Sequence, residues 1–357
     1  MLLVYLTPDN SNFSFMKSDI LYTVMEKVSL RPNKLVVYNE ISKFDTIKQC
    51  IIKRASRSSG GTLLKRFHNF EISRNAEREI SNKVSWLWAM AKKKSVTSLS
   101  GKQITNFKMS FFTLTLPSSQ VHPTAEITKI AFNQFLTEMR KSYNLANYVW
   151  RLEFQKNGNV HYHLATDVYI DYYIMLKVWN RCINKLGYVD RYANKMKSLT
   201  LAEYRNLNNY NKQADFKVLA ERYAKNVKNG WRIPPSVDVK PCTSGKAIAS
   251  YISKYFGKKD KSGCKCNPLD NEENSFSLRL WYASRSLAAL KTITEYKEAC
   301  AEDLQVMLKD MVGVKEIICD YCIVYYFELI RLPFYLQNYF REVFDFHAHL
   351  VGYKPSQ

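Results

Sequence analysis

The stretch Glu153-Phe-Gln-Lys-Asn-Gly-Asn-Val-His161-Tyr-His163 constrains this chain more than any other segment. Residues 148–155 and 160–168 read as extended segments around Lys156-Asn-Gly-Asn159, which is a hairpin signal. Side chains alternate across a strand, so His161 and His163 project from one face of it. Two neutral imidazoles at that spacing can chelate one divalent ion. The place of Glu153 depends on the turn. A three-residue loop with Gly158 in the left-handed conformation sets Glu153 opposite His163 on the same face. A two-residue Asn-Gly turn pairs it with Tyr162 and sends the carboxylate to the other side. A metal site therefore requires an odd loop.

Strong local patterns surround this hairpin. Phe111-Phe-Thr-Leu-Thr-Leu116 has very high strand propensity and stops at Pro117. Helical spacing predicts helices over 125–143, 171–186 and 247–258, and further strands over 236–240 and 278–283. Upstream, Ser73 leads into a helical stripe of Ile80, Val84, Leu87 and Trp88, closed by Lys92-Lys93-Lys94 at the negative end of the helix dipole. Residues 191–230 form a polar insertion, helical in part. The succession β-α-β-β-α-β predicts an α+β fold, a central antiparallel sheet flanked by helices. Three regions follow: 1–105 as a mixed, mostly helical extension, 106–292 as the main domain, and 293–357 as a helical and extended region.

Charge names the partner class. Lys and Arg total 53 against 32 Asp and Glu, a net charge of +21, which favours a polyanion because cations at phosphates release condensed counterions. Aromatic residues make up 14% of the chain, 24 of them Tyr, and many adjoin Lys or Arg. Unpaired bases stack on such rings, so single-stranded nucleic acid suits the composition better than duplex. The start, Met1 to Leu6, is too short and lacks the basic residues for a secretory signal, and eight scattered cysteines form no disulfide framework. Reduced thiols in a cytoplasm are expected. The apolar stretch 317–336 contains Asp320, Glu328 and Arg331, so no membrane span is expected there.

A second element completes a possible chemistry. In Ala249-Ser-Tyr251-Ile-Ser-Lys254-Tyr255-Phe-Gly-Lys258, Tyr251 and Tyr255 share a helix face at i and i+4, with Lys254 beside them. A phenol with its usual pKa of about 10 is a poor nucleophile. It needs a polarised phosphate, a nearby cation or both.

Phe112-Thr-Leu-Thr115, Glu153 with His161-Tyr-His163, and Tyr251-Ile-Ser-Lys254-Tyr255 together resemble the three ordered motifs of HUH-superfamily rolling-circle replication initiators. The likeness is to initiators of small single-stranded DNA phages and their relatives in plasmids and prophages. It extends to Leu280-Trp-Tyr-Ala-Ser-Arg285-Ser-Leu287 and touches the Ser73 to Trp88 helix, about residues 70–290 in all. The resemblance implies an HUH endonuclease fold, a ferredoxin/RRM-like sheet carrying the histidines with the tyrosine helix beside it. It implies one Mg²⁺ or Mn²⁺ ion on His161, His163 and Glu153. It further implies nicking of one strand at a replication origin by Tyr251, leaving a 5′-phosphotyrosine and a free 3′-OH primer. Lys254 would stabilise developing charge and Tyr255 would serve a second transfer. Trp281, Tyr282, Arg285 and Lys258 are the expected contacts to single-stranded DNA. A host helicase and polymerase would act with it, in the cytoplasm of a bacterial host. The long gap from His163 to Tyr251 and the Cys264-Lys-Cys266 loop have no counterpart in the resemblance.

Two rivals remain at this stage. An HUH transposase or mobilisation protein shares the chemistry, but histidines before tyrosine is the initiator order. A non-catalytic basic single-stranded DNA-binding protein explains charge and rings, but not the Glu/His-His/Tyr-Lys set. His347-Ala-His349 lacks a partnering acid in a hairpin and reads as structural. Cys319-Asp-Tyr-Cys322 has zinc-knuckle spacing without a second pair and reads as core. Thr243-Ser-Gly-Lys246 lacks the upstream Gly and following Ser/Thr of a Walker A loop.

Overall fold

A computed structural model describes residues 3–6, 12–16, 21–43, 72–244, 269–270, 278–296 and 299–356. In chain order, strands β1 (Leu3–Leu6), β2 (Asn12–Met16), β3 (Leu21–Arg31) and β4 (Lys34–Lys43) come first, followed by helix α1 (Arg74–Met90). Next are β5 (Lys94–Thr97), β6 (Gln103–Phe107) and β7 (Met109–Thr115). Helix α2 (Thr124–Ile127) runs through a π-helical turn (Thr128–Phe132) into α3 (Asn133–Ser142). The hairpin β8 (Tyr148–Phe154) and β9 (Val160–Thr166) leads to α4 (Tyr172–Asn184). Four helices fill the insertion: α5 (Tyr188–Lys197), α6 (Leu201–Asn206), α7 (Asn209–Gln213) and α8 (Phe216–Lys228). Then follow β10 (Val237–Cys242), β11 (Trp281–Ala283), α9 (Arg285–Ala289), β12 (Ile293–Tyr296), α10 (Ala299–Leu308), the hairpin β13 (Val314–Cys319) and β14 (Cys322–Phe327), and α11 (Phe334–Leu350).

The chain divides into two compact units. Residues 67–288 with 354–357 form a central unit, and 1–66 with 289–353 form a terminal unit. The central unit carries a five-stranded antiparallel sheet in the order β10-β7-β9-β8-β11. The α+β class and the antiparallel sheet with helices are those expected from the residue pattern. One sheet face is apolar. Phe112, Leu114, Trp150, Leu152, Tyr162 and Leu164 pack there against Phe132, Phe135 and Met139 of the α2–α3 helix and Met175, Trp179 and Ile183 of α4. Tyr162 stacks on Phe132 at 4.0 Å between ring centroids, and its hydroxyl lies 2.8 Å from Thr128 Oγ1. The Trp179 indole N–H donates to the Thr115 carbonyl at 2.8 Å, so both of these fully buried rings have their polar tips paired. The insertion has a small core of its own, Ala193, Met196, Tyr204, Leu219 and Trp231, which accounts for its helices despite a polar composition.

Three expectations need correction. The N-terminal segment is not mostly helical: its described part, β1 to β4, is entirely strand. These strands join β12, β13 and β14 of the C-terminal segment in one seven-stranded sheet. Val28, Leu30, Leu35 and Val37 are buried there at a period of two, with Phe327 stacked on Phe340 of α11. The two ends of the chain thus build one unit, and α1, β5 and β6 group with the central unit rather than with an N-terminal extension. Second, α1 ends at Met90, with no basic residue in its last turn. Lys94 instead opens β5 and donates from Nζ to the Asp167 carbonyl at 2.6 Å. The Ser73 cap is real, accepting from Ala76 N at 3.2 Å. Third, Cys319 and Cys322 flank the tight β13–β14 turn as facing strand residues, with Cys319 exposed, and are not core.

The central hairpin closes on Lys156, Asn157 and Gly158. Gln155 N–H donates to the Asn159 carbonyl at 2.9 Å, and Gly158 N–H to the Gln155 carbonyl at 2.8 Å. Gly158 has φ +80°, and the space around a Cβ there is open. Backbone conformation alone therefore opposes a side chain at this position. Gly158→Ala should cost about 1 kcal/mol in urea unfolding. Gly158→Asn should cost less than half of that, because Asn tolerates the left-handed region. Equal losses for the two variants would show that the turn does not need this conformation.

Candidate metal centre on the central sheet

An odd loop fixes which side of the sheet each residue meets. Across β8 and β9, Phe154 pairs with Val160, Glu153 with His161 and Arg151 with His163. The three-residue loop and left-handed Gly158 are as expected, but the register sets Glu153 opposite His161, two residues from the expected partner. Parity is unchanged by a two-residue shift, so all three side chains share one face. Tyr162, between the histidines, is fully buried in the opposite face.

The carboxylate then reaches diagonally. Glu153 Oε1 lies 2.7 Å from His163 Nε2. His163 Nδ1 lies 3.3 Å from the hydroxyl of Thr113, its partner residue on β7. The two imidazole rings sit edge to face with centroids 4.5 Å apart. One ligand atom from each of Glu153, His161 and His163 lies within 4.8 Å of the others, the one such group of three among the described residues. His161 Nδ1 is buried and has no hydrogen-bond partner among the described residues. A buried, unpartnered imidazole nitrogen beside a second imidazole and a carboxylate is what a cation site needs. The three residues fit a divalent ion.

Electrostatics keep these donors in the forms a cation requires. Burial, and next the neighbouring His163, hold the His161 pKa down at about 4, against a smaller opposing effect of Glu153. The ring is neutral at pH 7. Burial tends to raise the Glu153 pKa, but the hydrogen bond from His163 and the charges of His163, His161 and Arg151 outweigh it and hold the carboxyl below its ordinary range. In its bond to Glu153, His163 carries the proton on Nε2 and accepts from the Thr113 hydroxyl at Nδ1. As a cation ligand through Nε2 it would carry the proton on Nδ1 instead, with Thr113 Oγ1 accepting. The threonine serves either tautomer, and so fixes the ring in both.

Sequence reasoning passed over Thr113 and Arg151. Both became visible only with the register, since neither residue type signals a site by itself. Arg151 is buried, and its partner on β11 is Trp281. Trp281 therefore belongs to the histidine face, while Tyr282 pairs with Trp150 on the helix-packed face. Arg285 is exposed at the start of α9. The expected DNA contacts are split between the two sheet faces. Tyr251, Lys254, Tyr255 and Lys258 lie outside the described residues, as does the Cys264-Lys-Cys266 loop. His347 and His349 sit on α11 in the terminal unit and form no such three-residue group. Among the described residues no helix is long and apolar enough to cross a membrane.

The central unit is thus an antiparallel sheet that gathers two histidines and a glutamate on one face. Residues 109–260, from the first residue of β7 onward, match a family model of replication-associated proteins of the ORF2 type. The match covers less than half of the chain and supports a role in replication initiation. No curated protein and no solved structure matches the chain.

The low His161 pKa has a measurable consequence for the metal-free protein. The unfolded ring titrates near its usual 6.5, so between pH 6.5 and about 4 the unfolded chain binds the extra proton. Stability should fall as pH drops through that window, by at most about 3 kcal/mol from this group. The depressed Glu153 contributes stability that is lost only at lower pH, below the ordinary carboxylate value. Chemical unfolding in EDTA should show a flatter curve between pH 6.5 and 4.5 for His161→Gln than for the wild type. Parallel curves would refute the buried neutral imidazole.

Proposed function

We propose that this protein is a rolling-circle replication initiator of the HUH type, a metal-dependent nickase and strand transferase acting on single-stranded DNA at an origin. The observation that carries the reading is the convergence of Glu153, His161 and His163 on one sheet face. Three further facts support it. The family match spans both histidines and the tyrosine segment. The β-α-β-β-α-β succession, with sheet order fourth-first-third-second among its own strands, is that of a ferredoxin-like unit, extended by β11. The net charge of +21 suits a phosphate backbone.

His161, His163 and Glu153 would hold one Mg²⁺ or Mn²⁺ ion, and two imidazoles with one carboxylate favour Mn²⁺ of the two. The ion, when bound, supplies Lewis-acid polarisation of the scissile phosphate. The chain's own residues do the rest. Thr113 holds the His163 ring, and the buried Arg151 adds fixed positive charge next to Glu153. Tyr251 attacks phosphorus in line. Its O–P bond forms as the bond to the 3′ oxygen breaks, so the strand is left with a 5′-phosphotyrosine and a 3′-OH. Lys254 offsets the phenolate charge, and Tyr255 performs the second transfer that closes the displaced strand. Unwinding and synthesis would fall to a host helicase and polymerase in a bacterial cytoplasm.

The test uses an origin-containing oligonucleotide and a denaturing gel. A covalent adduct should form with Mn²⁺, vanish with EDTA, and drop at least about 100-fold in His163→Ala. Tyr251→Phe should abolish the first adduct, while Tyr255→Phe should spare it and block the second transfer. An adduct that survives in the double tyrosine variant, or cleavage indifferent to EDTA, would sink the assignment. DNA binding without cleavage under every condition would leave the non-catalytic basic binder.

Thr113 gives a second test. Thr113→Val keeps shape but removes the hydroxyl at His163 Nδ1. Mn²⁺ affinity, read by equilibrium dialysis, should fall about 10-fold or more. Thr115→Val, whose hydroxyl points to the Ser236 carbonyl at 3.3 Å, should change it little.

A further inference from the structure

The opposite face of the same sheet carries a cavity that the nicking chemistry leaves unused. It lies between the α2–α3 helix and the outer strands β8 and β11, and has a volume of about 860 Å³. Three rings, Tyr148, Trp150 and Tyr282, and three cations, Lys129, Arg140 and Arg279, line it. Glu126 is the acidic side chain in the wall. Positive charge therefore predominates around an aromatic floor.

Several details mark this as a built site rather than a packing gap. Trp150 is 4% exposed, and its indole Nε1 has no hydrogen-bond partner among the described residues. A buried indole N–H without an acceptor costs free energy, which an incoming acceptor would recover. Arg279 lies over the Tyr282 ring at 5.0 Å from its centroid, and Tyr282 lies 6.4 Å from Tyr148. The Arg140 side chain hydrogen-bonds the Tyr148 hydroxyl. The wall facing these rings is the π-helical turn Thr128–Phe132, which carries Lys129 outward while Phe132 turns into the core. Such turns interrupt a helix at some cost and recur at binding sites.

We infer that this cavity holds one unpaired nucleotide of the single-stranded DNA, with its base against Tyr282 and Trp150 and its phosphate between Lys129 and Arg279. The chemistry selects this ligand class. A base offers a flat π surface for the rings and ring-nitrogen or carbonyl acceptors for the indole N–H. A phosphate offers the anion that the cations need. The volume accommodates a nucleotide with room for its sugar. The inference rests on the DNA-binding part of the proposed function but not on nicking. It gives Tyr282 a role on the face away from the histidines. A strand engaged here would be anchored at a point separate from the metal centre, so the sheet would hold DNA on both sides.

The experiment uses the full-length protein in EDTA, so that no scission intervenes. Equilibrium dialysis should detect binding of deoxyadenosine monophosphate, and a large excess of inorganic phosphate should not displace it. Lys129→Ala/Arg279→Ala should weaken that binding at least tenfold, whereas the exposed pair Lys102→Ala/Lys156→Ala should leave it within twofold. Trp150→Phe, which keeps the ring and removes the N–H, should weaken it several-fold with an unchanged melting temperature. A dodecamer of deoxyadenosine should bind the wild type at least tenfold tighter than an abasic dodecamer, and Tyr282→Ala should reduce that ratio several-fold. Absence of monophosphate binding overturns the inference. So does displacement by phosphate, which would mean an anion site, or an unchanged dodecamer ratio in Tyr282→Ala, which would mean a site for free nucleotides only. Cleavage assayed separately with Mn²⁺ keeps the two readings apart, since loss of nicking with intact monophosphate binding would count against the nickase alone.

Discussion

The parity of one hairpin governs the central unit. Three residues between β8 and β9 make the loop odd, and an odd loop sends Glu153, His161 and His163 to one face while Trp150, Leu152 and Tyr162 go to the other. A loop longer or shorter by one residue would bury the carboxylate in the apolar core and expose Tyr162. The turn is secured from outside as well as within. Asn159 donates to the Ser118 carbonyl at 2.9 Å and accepts from Gln120 N–H at 2.9 Å, and the Gln120 side chain accepts from Val160 N–H at 2.8 Å. These are buried, reciprocal bonds, so slippage of the hairpin would leave several polar groups unpaired at once.

From that alternation follows a division of labour between the faces. On the helix-packed side, aromatic rings interlock and their polar tips are hydrogen-bonded, with Trp150 the exception that opens onto a cavity. On the other side, burial is applied to ionisable groups. Burial alone would neutralise a carboxylate, yet Glu153 stays ionised because His163, His161 and Arg151 surround it. The same burial keeps His161 neutral. One desolvated environment thus produces an anionic oxygen and a neutral imidazole side by side, the two protonation states a cation ligand set demands.

Much of the central unit was legible in the residues because its signals are local. Phe111 to Leu116, the Lys156 to Asn159 turn and the apolar stripe of α4 each announce their element within a few positions, and the histidine pair announces its face. The exact register was not legible. Parity could be deduced from the turn, but the partner of Glu153 depends on which three residues close the loop, and Asn159 joins the ladder rather than the loop. Thr113 could not be singled out before its cross-strand partner was known. The N-terminal strands were missed for a different reason. Val28, Leu30, Leu35 and Val37 do alternate, but β3 and β4 turn on Pro32-Asn33, which lacks the usual Asn-Gly signature, and their further partners lie some 250 or more residues away. No window of local sequence contains that pairing.

The discontinuous terminal unit bears on what the family match leaves out. The match ends at residue 260, before β11, yet β11 adds to the sheet beside β8 and sets Trp281 opposite Arg151. The segment 278–288 is therefore part of the central unit on structural grounds, as is α1, which packs along β8 and β11. Past Ala289 the chain leaves to pair β12 with β3 and β14 with β4. Removing either end of the chain would strip the terminal sheet of strands and expose an unpaired edge, which is an aggregation hazard. The final residues then rejoin the central unit: Asn147 donates to the Lys354 carbonyl at 2.8 Å, and Ser356 N–H to Asp167 Oδ2 at 2.9 Å. Asn147 and Asp167 flank the outer ends of β8 and β9, so the tail fastens the same hairpin at the end opposite its turn. The strand pair that aligns the histidines is held at both ends by polar contacts from distant parts of the sequence.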